Sequence, residues 1–260
     1  MRAKTKLAQT LGAGKWAITA ECLPPRGADP SAVKKLAACF SAVLDAVVVA
    51  DNHHDVRSSA LACAALLAGE KLEPMLSMVT RDRNRVALES DVLGAAALGI
   101  RNFLCLTGTH QSLGTSPKAA GSYDLDATQL SLALSRMADD GFDFSGNKLD
   151  AAPDLFVAAS AHPYLRPMEL NLLGLRKKVA AGAQAIMTDA ITELAGFEQW
   201  MEAVRSAGID KKVAIIASVR PENVEIARKV RTVPGVRGIH LLSGGSEHLV
   251  AQVIKDASLA

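Results

Sequence analysis

The stretch Ala46-Val47-Val48-Val49-Ala50, followed at once by Asp51-Asn52-His53-His54-Asp55, decides the architecture of the chain. Its consecutive apolar residues, rich in valine, describe a strand with no polar face. Such a strand has to be covered on both sides, which is the situation of a parallel strand between helices. The polar run behind it marks where the strand ends. Trp16–Cys22, Pro74–Val79, Asn102–Leu106, Leu155–Ala159, Ala185–Thr188, Val213–Ala217 and Ile239–Leu242 read as further buried strands.

Helical stretches separate them. Asp29 caps a helix with Pro30 at its first position, running to about Phe40. Further helices are predicted from Asp55 or the preceding turn through Leu67, after Arg85 to about Leu98, from about Asp126 to Ala138, from Pro221 to about Arg231, and after Gly245 to about Asp256. Met168, Leu172, Leu175 and Val179 share one helical face, as do Phe197, Trp200, Met201 and Val204; both sets are core packing. Eight strand–helix units in 260 residues predict a single-domain (β/α)8 barrel over residues 1–260. A doubly wound sheet is the alternative, but Gly12-Ala13-Gly14 precedes the first strand and no G-x-G-x-x-G turn follows it.

Within this frame Ile18-Thr19-Ala20-Glu21-Cys22-Leu23-Pro24-Pro25-Arg26-Gly27 places a carboxylate at the end of a core strand, before a stiff Pro-Pro turn. A buried carboxylate is costly unless paired or used. Glu21 is therefore either salt-bridged to Arg26 across the turn or functional.

Composition narrows the classes. Apolar residues make up 49% of the chain and aromatics 4%, so Ala, Leu, Val and Ile must build the core. Lys and Arg number 29 against 27 Asp and Glu, with no basic stripe, and nucleic acid is not an expected partner. No apolar run has membrane-spanning length, and the basic N-terminus lacks the apolar core of a signal peptide. Cys22, Cys39, Cys63 and Cys105 show no zinc spacing, which fits a reduced, cytoplasmic protein.

Barrels carry function on the loops after the strands. That rule selects Glu21, Asp51 to His54, Arg81-Asp82-Arg83, Thr107-Gly108-Thr109-His110, Ser160 with His162, Thr188-Asp189, Arg220 and Ser243-Gly244-Gly245. Adjacent His53 and His54 diverge, and no H-x-x-x-H pair supports them, so no metal is expected. The Arg81–Arg85 run suits phosphate, or pairing with Glu89 and Asp91 along the next helix. Gly108 marks a close backbone approach, to a phosphate or ring system if a ligand is what approaches. Ser243-Gly244-Gly245-Ser246 reads as a phosphate loop or a Ser-capped helix start. The long loop Thr107 to Tyr123 suggests function. No lysine lies inside a predicted strand, which disfavours a Schiff-base aldolase.

These stretches together resemble the methylenetetrahydrofolate reductase family. The likeness runs through Ala20–Gly27, Asp51-Asn52, Thr80–Arg85, Ser90–Asn102, Leu106-Thr107-Gly108, Tyr123–Asp126, Lys177–Gln184 and Pro234–Leu241. It implies a barrel that binds FAD and a folate, with reduced flavin delivering hydride to convert 5,10-methylenetetrahydrofolate to 5-methyltetrahydrofolate in the one-carbon metabolism behind methionine biosynthesis. The donor would be NAD(P)H or a partner redox subunit, in a homo-oligomer or hetero-complex.

By the same resemblance Glu21, in E-x-x-P-P-R, is the catalytic acid. Thr107, Gly108, Thr109, Ala159, Ser160, His162 and Lys178 would meet the cofactor, and Glu21, Thr109 and Asp189 the substrate. The chain departs from the family at Thr109 (an aspartate), Ala50 (a threonine), Ser77 (His or Gln), Asp189 (a glutamine) and Val224 (a phenylalanine), and in a short connection from Arg231 to Gly238. These departures support a second expectation: a paralogue without flavin that binds a folate or pterin, or serves as a subunit of a C1-transfer complex.

Overall fold

The computed structural model describes residues 3–40, 43–52 and 54–259. The strands β1 (Ala17–Cys22), β2 (Ala46–Val49), β3 (Pro74–Val79), β4 (Asn102–Leu106), β5 (Phe156–Ala161), β6 (Ala185–Ala190), β7 (Ala214–Val219) and β8 (Val236–Leu241) form a closed parallel barrel, β8 pairing back onto β1. Around it lie α2 (Pro30–Ala37), α3 (Ala60–Gly69), α4 (Arg85–Ala97), α5 (Ala127–Asp139), α6 (Met168–Ala180), α7 (Leu194–Ser206), α8 (Val224–Val230) and α9 (Val250–Asp256). The chain is a (β/α)8 barrel.

Alternation along each strand divides the core in two. Ala17, Val48, Met75, Leu104, Phe156, Ala158, Met187 and Ile216 pack on one another inside the barrel. Their strand neighbours, including Ile18, Ala20, Cys22, Val47 and Val49, join Phe197, Trp200, Met201 and Val204 of α7 in the outer layer. The inner layer is closed from below by a helix the sequence reading did not contain, α1 (Lys6–Gly12). Leu7 and Leu11 of α1 are fully buried against the inner residues, and the Thr5 hydroxyl caps the helix by accepting from Ala8 N at 3.1 Å.

Several element boundaries differ from expectation for local reasons. α3 starts at Ala60, not near Asp55, because Asn52, Asp55 and Arg57 bond to one another ahead of it. Asn52 Oδ1 accepts from Arg57 N at 3.0 Å, and Arg57 grips Asp55. The connection after β8 forms a 3-10 turn (Glu247–Leu249) before α9. α8 begins three residues after Pro221, and α2 ends at Ala37. α5 starts where a capping box puts it, between Asp126 and Gln129. No helix among the described residues is long and apolar enough to cross a membrane.

Candidate active site

Above the apolar inner layer the inward positions change character. Glu21, Ala50, Ser77, Ser160, Asp189, Ser218 and His240 line a cavity of about 1040 Å³ at the C-terminal ends of the strands, with Val48, Val79, Leu104, Leu106 and Met187 as its aliphatic surface. The alternation that fills the barrel below thus presents polar groups above.

Glu21 stands at this opening. Its Oε2 accepts a hydrogen bond from Gly244 N at 2.8 Å. Burial pushes its pKa above the ordinary carboxylate value; the Gly244 N–H opposes this, the charge of Glu247 adds to it, and the charge of Arg220 opposes it. Glu247 is itself buried and accepts from Leu23 N at 2.9 Å. The result is a carboxyl inclined to hold its proton.

The pairing of Glu21 with Arg26 does not occur. Arg26 Nε donates to Asp55 at 2.7 Å instead, on the far side of the Pro-Pro turn. Nor does the glycine-rich turn after β8 cap a helix with Ser246, whose side chain makes no cap bond. Gly244 (φ +55°) and Gly245 (φ +96°) occupy the left-handed region, and the turn presents its N–H to Glu21.

The arginine run is committed to protein carboxylates. Arg83 pairs with Asp51 and, at 3.0 Å, with Asp91. Arg85 holds Asp124 at 2.7 Å, while Glu89 accepts instead from Phe144 N. Arg81, nearly buried, donates to the carbonyls of Thr109 at 2.7 Å and Asn52 at 2.8 Å and pairs with Asp82, so it straps together the loops after β2, β3 and β4. The long loop lies across these straps, with Thr115 N on His54 O at 2.8 Å and Ser122 N on Arg81 O at 2.7 Å. Among the described residues no three His, Cys, Asp or Glu side chains are placed to hold a metal; His53 lies outside those residues.

The other expected site residues divide. Thr107, Gly108, Thr109, Ser160, His162, Lys178 and Asp189 all line the cavity. Thr107 Oγ1 also accepts from Ala127 N at 3.1 Å, at the start of α5. Gly108 (φ +90°) is a close approach, but to protein: a Cβ there would stand 2.4 Å from Val79 Cγ1 and 3.3 Å from Arg81 Cβ. Lys178 Nζ donates to Ser160 O at 2.6 Å, and burial draws its pKa below the usual lysine value against the pull of Asp126 and Asp189. His162 Nδ1 is bonded to Asp189 Oδ2. A break in the β6–β7 register between Met187 and Ala190 accompanies this position. Ala159 is fully buried in the outer layer, so its side chain does not face the cavity. Val224 packs against that same layer and is not among the residues that line the cavity.

The cavity floor holds polar residues that lie inside the strands, short of the strand ends where the sequence points. His240 Nδ1 lies 3.0 Å from Thr19 Oγ1, and burial pushes its pKa down to about 3, leaving a neutral imidazole at physiological pH. Ser218 Oγ is buried with no hydrogen-bond partner among the described residues. Counting by twos along the strands, from Glu21 to Thr19 and from Leu242 to His240, would have found this layer.

A family model described as methylenetetrahydrofolate reductase matches residues 6–239. Over 140 residues the chain is 30% identical to the 5,10-methylenetetrahydrofolate reductase of Escherichia coli (strain K12), and the Shigella flexneri protein of that name gives the same figure. Each match takes in 54% of this chain and 41% of the relative's length. Among solved structures, tryptophan synthase from M. tuberculosis is similar at TM-score 0.59 and 11% identity, covering 98% of both chains. A 2,3-dimethylmalate lyase is similar at 0.59 and 14%, covering 96% of this chain and 85% of that one. At such identities the likeness is one of fold alone.

Proposed function

Because the chain belongs to the methylenetetrahydrofolate reductase family, we propose that it reduces a methylene group carried on a reduced folate, with Glu21 as the acid. The observation that carries this reading is a half-buried carboxyl, biased toward its protonated form, at the mouth of the barrel cavity. Proton donation from Glu21 to the folate nitrogen releases one end of the methylene bridge and leaves an iminium. Hydride addition to that carbon then gives the methyl product. Burial and the Glu247 charge favour the protonated form of Glu21, while Gly244 N–H orients the carboxyl and receives it as an anion afterwards.

FAD fits the donor set. Val48, Ala50, Val79, Leu104 and Leu106 offer an aliphatic slot for a flat ring, the unpartnered Ser218 hydroxyl offers a polar contact, and Lys178 supplies a partly buried cation. Ser77, Thr107, Gly108, Thr109, Ser160 and His162 would border the same space. A bound flavin would supply the hydride. NAD(P)H or a partner redox subunit would supply its electrons.

A second reading is favoured by one observation. His162 and Asp189, both expected to meet ligand, are bonded to each other. A chain that keeps Glu21 and the pterin site but takes no flavin is consistent with that pair. The absorbance spectrum of the purified protein, with and without added FAD, together with a methylenetetrahydrofolate reduction assay, separates the two. Flavin bands and turnover are the expected result; a colourless protein that takes up no FAD leaves only the second reading.

A further inference from the structure

Four Arg and Lys side chains line the cavity among the described residues: Arg57, Arg81, Lys178 and Arg220. Three are engaged by the protein. Arg57 Nε donates to Asp55 at 2.8 Å and its Nη1 to Pro24 O at 2.9 Å. Arg81 is held by Asp82, Thr109 and Asn52, and Lys178 by Ser160 O. The guanidinium of Arg220 makes no hydrogen bond or ion pair among the described residues, and the residue is exposed at the end of β7.

The backbone beneath it is fixed. Pro221 follows directly and is buried, and Arg220 O accepts from Asn223 N at 3.0 Å to close the turn. The side chain therefore leaves a rigid strand end at the rim of the cavity, near enough to Glu21 for its charge to be felt there. A guanidinium offers five donors in a planar fork that matches a carboxylate. With none of them used by the protein, its complement is an anionic group on the ligand.

We propose that Arg220 docks a carboxylate on the glutamate tail of the folate, making the tail, and not the pterin alone, a determinant of which substrate the cavity accepts. The inference rests on the folate reading above. It assigns Arg220 to substrate binding and not to proton transfer, so its removal weakens affinity while leaving Glu21 in place. A charge-assisted bond at a partly solvated rim makes the acid tail bind about tenfold better than a neutral tail of the same size.

The test is calorimetric titration of the full chain with tetrahydrofolate and with its bis(methylamide), in which both tail carboxyls are neutralised. The unaltered chain should prefer the acid by about tenfold, with the preference shrinking at high salt. Arg220→Gln should bind both ligands alike, at the affinity the unaltered chain shows for the bis-amide, and Arg220→Lys should recover part of the preference. An undiminished preference in Arg220→Gln, or no preference in the unaltered chain, overturns the assignment while the folate reading stands. Failure of the unaltered chain to bind either ligand overturns the folate reading, and the assignment with it. Arg220 is exposed, so its replacement does not threaten the fold.

Discussion

Gly244 donates its backbone N–H to the Glu21 carboxylate at 2.8 Å, joining the turn after the last strand to the end of the first, two strands that pair directly where the barrel closes. The acid is therefore oriented by a peptide group from the other end of the chain, and its orientation depends on barrel closure. No group within its own loop does this work, since Arg26 is drawn away to Asp55.

Glu21→Gln removes the transferable proton but keeps the shape and the acceptor for Gly244 N–H. Turnover of methylenetetrahydrofolate should fall by about a hundredfold or more, the range for losing a general acid, while reduction of any bound flavin by its donor stays near normal. Stopped-flow measurement of the two half-reactions checks this; survival of full turnover would show that another group gives the proton.

Glu247→Gln keeps an acceptor for Leu23 N but removes the negative charge that helps raise the Glu21 pKa. In the proposed mechanism Glu21 acts in its protonated form, so activity should fall as pH rises through its pKa. Removing the charge lowers that pKa, and the falling limb of the pH–rate profile should move to lower pH. A limb that stays in place, or moves up, contradicts the electrostatic role of Glu247.

Gly108→Ala puts a methyl group 2.4 Å from Val79 Cγ1 at a residue with φ +90°. Left-handed backbone and overpacking together should cost roughly 2–4 kcal/mol, read as a lowered urea midpoint. If the variant is as stable as the parent, the loop after β4 is able to move away from β3.

His240 links stability to pH. In the folded protein burial holds its pKa down at about 3, against an ordinary value of 6.5 in the unfolded chain. As pH falls through that window the unfolded chain takes up a proton that the folded one refuses, so stability drops by at most about 1.4 kcal/mol per pH unit. His240→Gln should flatten this part of the acid limb. Unfolding free energies of both proteins at about pH 7 and about pH 5 measure it, and equal losses would show that other groups set the acid sensitivity.

Much of the site was legible because a barrel strand has a simple period. AVVVA announces a doubly covered strand, and every strand end then becomes a candidate, which is how Glu21, His162, Asp189 and Arg220 were found. Partners were not legible, because a partner is a matter of distance across the barrel. Arg83 meets Asp51 from two strands' ends, and Glu247 lies 224 residues from the Leu23 amide it accepts. That Ala159 and Val224 pack in the outer layer was not legible for a different reason: likeness to a family fixes neither the facing of a strand residue nor the start of a helix.

The sequence by itself determined that strands and helices alternate, that the strands are buried on both faces, and that a carboxylate ends the first one. These are consequences of local periodicity and of residue type. Only the tertiary structure decided that Glu21 is held by Gly244 and pressed by Glu247, that Gly108 yields to Val79, that α1 plugs the barrel floor, and that Arg220 alone among the described cavity-lining Arg and Lys side chains stands unpaired. Proton affinity, steric room and free charge depend on what surrounds a group within a few ångströms, and closing the barrel brings those surroundings together from both ends of the chain.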